Sequence, residues 1–269
     1  MTSYDEVPSY DEPEPLRHVE HVMGTVFSFD LREVHDADRP RVLAALDGAV
    51  VGLHRVDELF STYRHDSQIS RLAREELTLS RCEPEVRDVL ELCEEFSYRS
   101  DGWFTALYAG GRPDPTGLVK GWAVERAARM LASAGAGSVC VNGGGDVQVH
   151  GGPWRVGIAD PLRRGELLAV VEAHGELAVA TSGPAERGCH ILDPHTGRPP
   201  ADGLASVTVV GTSLTEADAW ATAACAMGAE RARPWLQRQP GAEAFVVTAE
   251  GTTWQTSGFT RYSAELCVS

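Results

Sequence analysis

A run of three glycines, Gly143-Gly144-Gly145, interrupts the otherwise strand-like segment VCVNGGGDVQV at residues 139–149 and limits what this chain can fold into. Glycine loses more backbone freedom on ordering than any other residue, so no regular strand runs through three of them; they mark unusual torsions or a close backbone approach. The segment therefore reads as two short strands around a turn, with Asp146 either shaping that turn or serving a site. Further short apolar runs follow at residues 154–159, 168–173, 177–181, 207–211, 244–249 and 252–255, several joined by tight turns. Tight turns join antiparallel neighbours, because a parallel neighbour needs a long crossover.

Helical periodicity separates these strands into groups. Val42, Leu46, Ala49, Leu53, Val56 and Phe60 recur at threes and fours and define one face of a long amphipathic helix over residues 40–60. A second helix carries Val86, Val89, Leu90, Cys93 and Phe96 behind a Ser80/Glu83 capping pattern. A third follows the segment at residues 114–121 and bears Trp122, Ala123, Ala127, Met130 and Leu131. A fourth spans residues 215–227 with a Thr215/Asp218 capping pattern, and a fifth covers 231–239. Residues 18–31 read as one edge strand bulged at Met23-Gly24-Thr25, with Val22, Val26 and Phe29 turned inward. Residues 1–17 hold acids and prolines with little apolar content, which predicts a disordered acidic tail before a single domain over 18–269.

The formal charge of -15, from 39 acids and 24 bases, disfavours nucleic acid and anionic lipid as partners. Six cysteines without a C-x-x-C pair give no zinc or redox motif. With no basic-apolar leader and no apolar run of about 20 residues, the expectation is a cytoplasmic protein that does not span a membrane.

The densest chemistry lies at residues 180–199. Ser182-Gly183, Glu186-Arg187 and His190 follow one strand-like run, and Asp193-Pro194 with Thr196-Gly197 form a second turn. These residues either satisfy a hairpin's own backbone or present a base at a strand end; Cys189 beside His190 adds a thiol that needs a spatial partner to act. Asp218 and Thr222, four apart, project from one helical face. A carboxylate and a hydroxyl suit Mg²⁺ better than zinc, although helix capping also favours an aspartate there. Lys120 follows Gly117 near a helix start, where a lysine faces solvent or neutralises an anion. Tyr63 combines an aromatic face with a polar tip, suited to a half-buried loop or a nucleotide ring.

The order S-G-x-x-E-R (182–187) then H-I-L-D-P-x-T-G (190–197) closely resembles the signature of the FAD:protein FMN transferases, the ApbE family. Four further segments resemble that family in the same order: F-S-x-Y-x-x-x-S-x-I-S-x-L at 60–72, D-x-x-G-x-x-K-G at 114–121, N-x-G-G-D at 142–146 and A-D-A-x-x-T-A at 217–223. Where the family has G-x-F-D, this chain reads Gly102-Trp103-Phe104-Thr105. The resemblance implies an ApbE-like, T-fold-related α+β domain of antiparallel sheets flanked by helices. It implies Mg²⁺ on the Gly117 carbonyl, Asp218 and Thr222, and FAD contacts at Met23, Tyr63, the Trp103, Phe104 and Thr105 backbone, Asp114, Lys120 and Ile191. It also implies FMN transfer to a Thr or Ser of an acceptor protein with AMP released, and His190 is the proton acceptor chosen from the signature. FAD hydrolysis to FMN and AMP, and passive FAD binding, are the competing readings.

Overall fold

The computed structural model describes residues 14–108, 112–184, 191–200 and 202–264. The chain begins with strands β1 (Leu16–Val22) and β2 (Thr25–Arg32). These are two strands of a hairpin, not one bulged strand: Val22 pairs with Thr25, and Met23-Gly24 form the two-residue loop with φ of 54° and 69°. Positive φ at both positions is the turn whose twist matches the flanking strands. Pairing places Glu20 opposite Phe27 and His18 opposite Phe29, so Phe27 and Phe29 face the core while Val26 is exposed, contrary to the inward position expected for it. The tail expected over residues 1–17 does not include Leu16 and Arg17, which pair with Leu31 and Asp30; residues 1–13 lie outside the described residues.

Helices α1 (Arg39–Phe60), α2 (Gln68–Ala73), α3 (Pro84–Arg99) and α4 (Thr116–Ser133) follow, with the two-residue strands β3 (Leu107–Tyr108) and β4 (Arg112–Pro113) before α4. All six residues expected on the inner face of α1 are buried. The Ser80/Glu83 cap is not formed: Ser80 lies in a 3-10 turn, and Pro84 starts α3 with Glu83 making no side-chain cap. Proline supplies a preset helical φ at N1, and its missing N–H removes one of the donors a helix start leaves unpaired.

The rest of the chain supplies β5 (Ser138–Gly143), β6 (Asp146–His150), β7 (Trp154–Ala159), β8 (Leu167–Ala173), β9 (Leu177–Ser182), β10 (Leu204–Gly211), α5 (Leu214–Met227), α6 (Ala229–Leu236), β11 (Glu243–Thr248), β12 (Thr253–Gln255) and β13 (Ser263–Ala264). Eight strands form one sheet in the order β1-β2-β5-β6-β9-β10-β11-β12, antiparallel throughout. A second antiparallel sheet, β13-β8-β7, covers its other face. The triple glycine turns between β5 and β6: Gly143 pairs with Asp146, and Gly144 and Gly145 take φ of 61° and 99°.

The molecule is thus three layers. Helices α1, α4 and α5 pack on one face of the large sheet around Phe27, Leu53, Leu118 and Trp220, and the small sheet closes the other around Val147, Val149, Val171 and Phe259. Strand β10, covered on both faces, is buried along its whole length. Helix α5 is buried nearly all round, which its six alanines permit by letting neighbours approach closely. Ser213 caps α5, its hydroxyl accepting from the Glu216 amide at 3.3 Å, so the cap lies two residues before the expected Thr215. Among the described residues no helix is long and apolar enough to cross a membrane.

Candidate active site

Helices α4 and α5 run antiparallel along a seam made by residues four apart on α4. A Cβ built on Gly117 would meet Thr222 at 3.3 Å, and one on Gly121 would lie 2.7 Å from the Leu214 carbonyl oxygen and 2.8 Å from Asp218 Cβ. A side chain at Gly121 would force the helices apart and one at Gly117 would crowd Thr222, so the glycines belong inside α4, not ahead of it as the sequence suggested. Their absence of side chain is what brings Gly117, Asp218 and Thr222 to one place.

Asp218 and Thr222 are only 4% and 8% exposed, and the Asp218 Oδ2 accepts from the Gly121 N–H at 3.0 Å. That N–H is the usual helical donor to the Gly117 carbonyl, which must therefore share it. Ser182 at the end of β9 brings its Oγ to 3.4 Å from Thr222 Oγ1. The result is a cluster of oxygen donors in a largely buried setting, the donor chemistry that hard cations take. Among the described residues no three His, Cys, Asp or Glu side chains gather as a metal set, here or elsewhere, so a cation at this seam would rest on one carboxylate, a hydroxyl and a backbone carbonyl.

Beside this seam, Lys120 points to β6, where its Nζ lies 2.6 Å from Asp146 Oδ2. Asp146 is 1% exposed, and its Oδ1 accepts from the Thr181 amide at 3.0 Å. Both come from the glycine turn: Gly143 lies against Val124 and Phe27 so closely that a Cβ would clash at 2.6 Å and 2.7 Å, which lets β6 present Asp146 to α4.

Lys120 also lines a cleft of about 500 Å³ with Met23, Gly24, Asp57, Tyr63 and Thr116. Tyr63 is 97% exposed, so the half-buried position expected for it is not what the fold provides; its ring stands free at the cleft. Asp114 lines an adjoining groove with Arg74 and Arg112, and its Oδ1 accepts from the Thr116 amide at 3.1 Å in the turn that leads into α4. Thr62 lines both spaces.

The ApbE family model matches residues 23–110 and 109–246, which together take in most of the chain. The chain belongs to the ApbE family. The FAD:protein FMN transferase of Escherichia coli K12 is 33% identical over 151 residues, 51% of this chain and 42% of that protein. The FAD:protein FMN transferase of Rhodobacter capsulatus is 39% identical over 150 residues, 51% of this chain and 28% of that protein. The matches thus span less than half the length of these relatives. A crystal structure of the ApbE protein of Thermotoga maritima superposes with a TM-score of 0.80 at 22% identity, over 94% of this chain and all of that one. The α+β fold of antiparallel sheets is therefore the ApbE fold, with the helices on one face of the large sheet.

Within this ApbE domain the remaining candidates scatter more. Phe104 is 1% exposed with its ring on Phe96, and its amide donates to Ser100 Oγ at 2.8 Å, so that amide is already engaged. The Thr105 hydroxyl closes its own turn, accepting from the Leu107 amide at 3.0 Å. Trp103 meets the His195 ring edge-on at 4.6 Å, docking the Asp193–Arg198 bridge against the Gly102 loop. Partial burial pushes the Asp193 carboxyl up, but hydrogen bonds from the His195 amide and from Thr196 outweigh it and hold the group low. Ile191 lines a cavity of about 120 Å³ with Pro184 and Cys225. Burial pushes the Cys225 thiol up to about 12, and it donates to the Ser182 carbonyl at 3.3 Å, so it stays a thiol. His190, Glu186, Arg187 and Cys189 lie outside the described residues.

Asp146 was legible only as a turn former or site residue, and Glu125 and Gln148 were not read at all. Their common signal is a polar residue in buried phase: Gln148 alternates with Val147 and Val149, and Glu125 stands four residues beyond Gly121.

Proposed function

We propose that this ApbE-family chain transfers FMN from FAD to a Thr or Ser hydroxyl of another protein and releases AMP. The observation that carries this reading is the junction at Lys120, where the oxygen-lined seam of α4 and α5 meets the cleft of Met23 and Tyr63. The name carried by the similar curated proteins supports FMN transfer from FAD to a protein.

In this reading Asp218, Thr222 and the Gly117 carbonyl would hold Mg²⁺, which would supply charge neutralisation for the FAD diphosphate. Lys120, held at the cleft wall by its ion pair with Asp146, brings ammonium N–H donors beside the phosphates. Tyr63 offers an open aromatic face and Met23 a soft apolar one for the flavin nucleotide. Trp103, Phe104, Thr105, Asp114 and Ile191 complete its surroundings. The acceptor hydroxyl oxygen forms a bond to the FMN phosphorus as the bond from that phosphorus to the AMP phosphate oxygen breaks. His190 takes the hydroxyl proton, a role assigned from its place in the HILDP signature. The chain's own residues contribute position and charge, which is most of what phosphoryl transfer requires.

Incubation of the purified chain with FAD, Mg²⁺ and a lysate of its own cells should yield a fluorescent protein band that survives denaturation, with the mass of FMN on a Thr or Ser. Accumulation of free FMN and AMP with no covalent product would replace the transferase with an FAD hydrolase.

A further inference from the structure

The seam that sets the oxygen cluster continues one turn further along α4, to a residue outside the cleft. Gly117, Gly121 and Glu125 face Thr222, Asp218 and Thr215 in turn, so Glu125 is the third rung of the same ladder. Glu125 is buried at 6% exposure. Its Oε2 accepts from Ser213 Oγ at 2.9 Å, from the Thr215 amide at 2.8 Å and from Thr215 Oγ1 at 2.7 Å. Its Oε1 is held by Arg129. Gln148 of β6 secures the same helix start from the sheet, its Oε1 accepting from the Leu214 amide at 3.1 Å and its Nε2 donating to the Thr212 carbonyl at 3.2 Å.

We infer that Glu125 is a positioning residue for the metal-binding pair, acting through the register of α5 against α4. The inference rests on the function proposed above. Two glycine contacts fix how close the helices come, and the Asp218 Oδ2 bond to the Gly121 N–H is the polar tie at the middle rung, made by the would-be ligand itself. Sliding is also what a buried carboxylate with three donors from the first turn of α5 opposes, because each lost bond leaves a desolvated group behind. The clasp sits about 12 Å along α4 from Gly117 at 1.5 Å rise per residue, so it acts on Asp218 and Thr222 only through the helix. A few tenths of an ångström at this end alter the spacing of three oxygens that must meet one small cation at near-ideal distances.

The test measures FAD binding by calorimetry across a Mg²⁺ titration, with thermal melting on the same samples. Glu125→Gln should raise the Mg²⁺ concentration for half of the FAD affinity gain about 10-fold, as loss of a group that orients a metal ligand does, with excess Mg²⁺ restoring the affinity. Thr215→Val, nearly isosteric and lacking one of the three donors, should move it the same way by about 2- to 3-fold, and it decides the matter alone if Glu125→Gln does not fold. Val86→Ala, in the core of α3 and away from the seam, should lower the melting temperature without moving that concentration. Wild-type Mg²⁺ dependence retained unchanged in both seam variants overturns the inference and leaves the proposed function standing. FAD affinity indifferent to Mg²⁺ in the wild type itself removes the metal from the proposed function, and the inference with it.

Discussion

Lys120 and Asp146 show how single residues are committed by their setting. At 12% and 1% side-chain exposure the pair is largely desolvated, and the 2.6 Å contact is what makes the Asp146 charge tolerable beneath the sheet. Removing one partner leaves the other charge buried, which costs more than the pair itself contributes. Lys120→Met should therefore lower stability by about 3–5 kcal/mol in urea unfolding, and adding Asp146→Asn should recover part of it. A double variant no more stable than the single one would mean that an unpaired Asp146 charge is not the source of the loss. Both residues were visible in the sequence, in D-x-x-G-x-x-K-G and N-x-G-G-D, but their pairing was not. A contact between a helix and a strand is fixed by how far the backbone of β6 can approach α4, and that depends on Gly143 fitting against Val124 and Phe27.

Among the elements, the β1–β2 hairpin carries its strain at a residue of the candidate site. Met23 takes φ of 54°, a left-handed conformation that costs a side-chain-bearing residue about 1–2 kcal/mol, in a turn where Asn-Gly is the favoured pair. Strain retained in a cleft-lining residue points to function, because a stability optimum would have replaced it. Met23→Asn should stabilise the protein by about 0.5–1 kcal/mol while weakening FAD binding. A loss of stability with unchanged FAD affinity would show that Met23 serves the turn and not the nucleotide. The hairpin also shows why sequence periodicity misread this segment. A two-residue turn preserves a plausible alternation of apolar residues, so one long strand and two short ones have nearly the same pattern until pairing fixes the phase. Helix α1 leaves no such ambiguity: the six apolar positions read from its periodicity are all buried, and Leu59, beside Phe60, joins them unread.

At the scale of the whole molecule, the three layers divide stability from chemistry. Every residue of the seam and the cleft lies on the helix side of the large sheet or at its rim, while the β13-β8-β7 sheet closes a separate apolar layer with Phe259 fully buried against Phe245. Phe259→Ala opens a cavity in that layer and should cost about 3–5 kcal/mol, with FAD affinity measured on the folded protein unchanged. Weakened FAD binding at temperatures well below the melt would show that the two layers are coupled across the sheet.

The sequence by itself determined the elements whose signals are local: the antiparallel strands between tight turns, the long amphipathic helix and the turn at the triple glycine. It also determined the family, because five short motifs kept their order over most of the chain. Asp218 and Thr222 were readable as one helical face because four residues make about one turn. Only the tertiary structure decided what that face meets. Gly117 and Gly121 gain their meaning from a second helix pressed against them, and Glu125 gains its partners from the start of α5, far along the chain. Local periodicity records which side of a helix is buried. Which helix covers it, in what register and at what distance is settled by packing between segments that share no local signal.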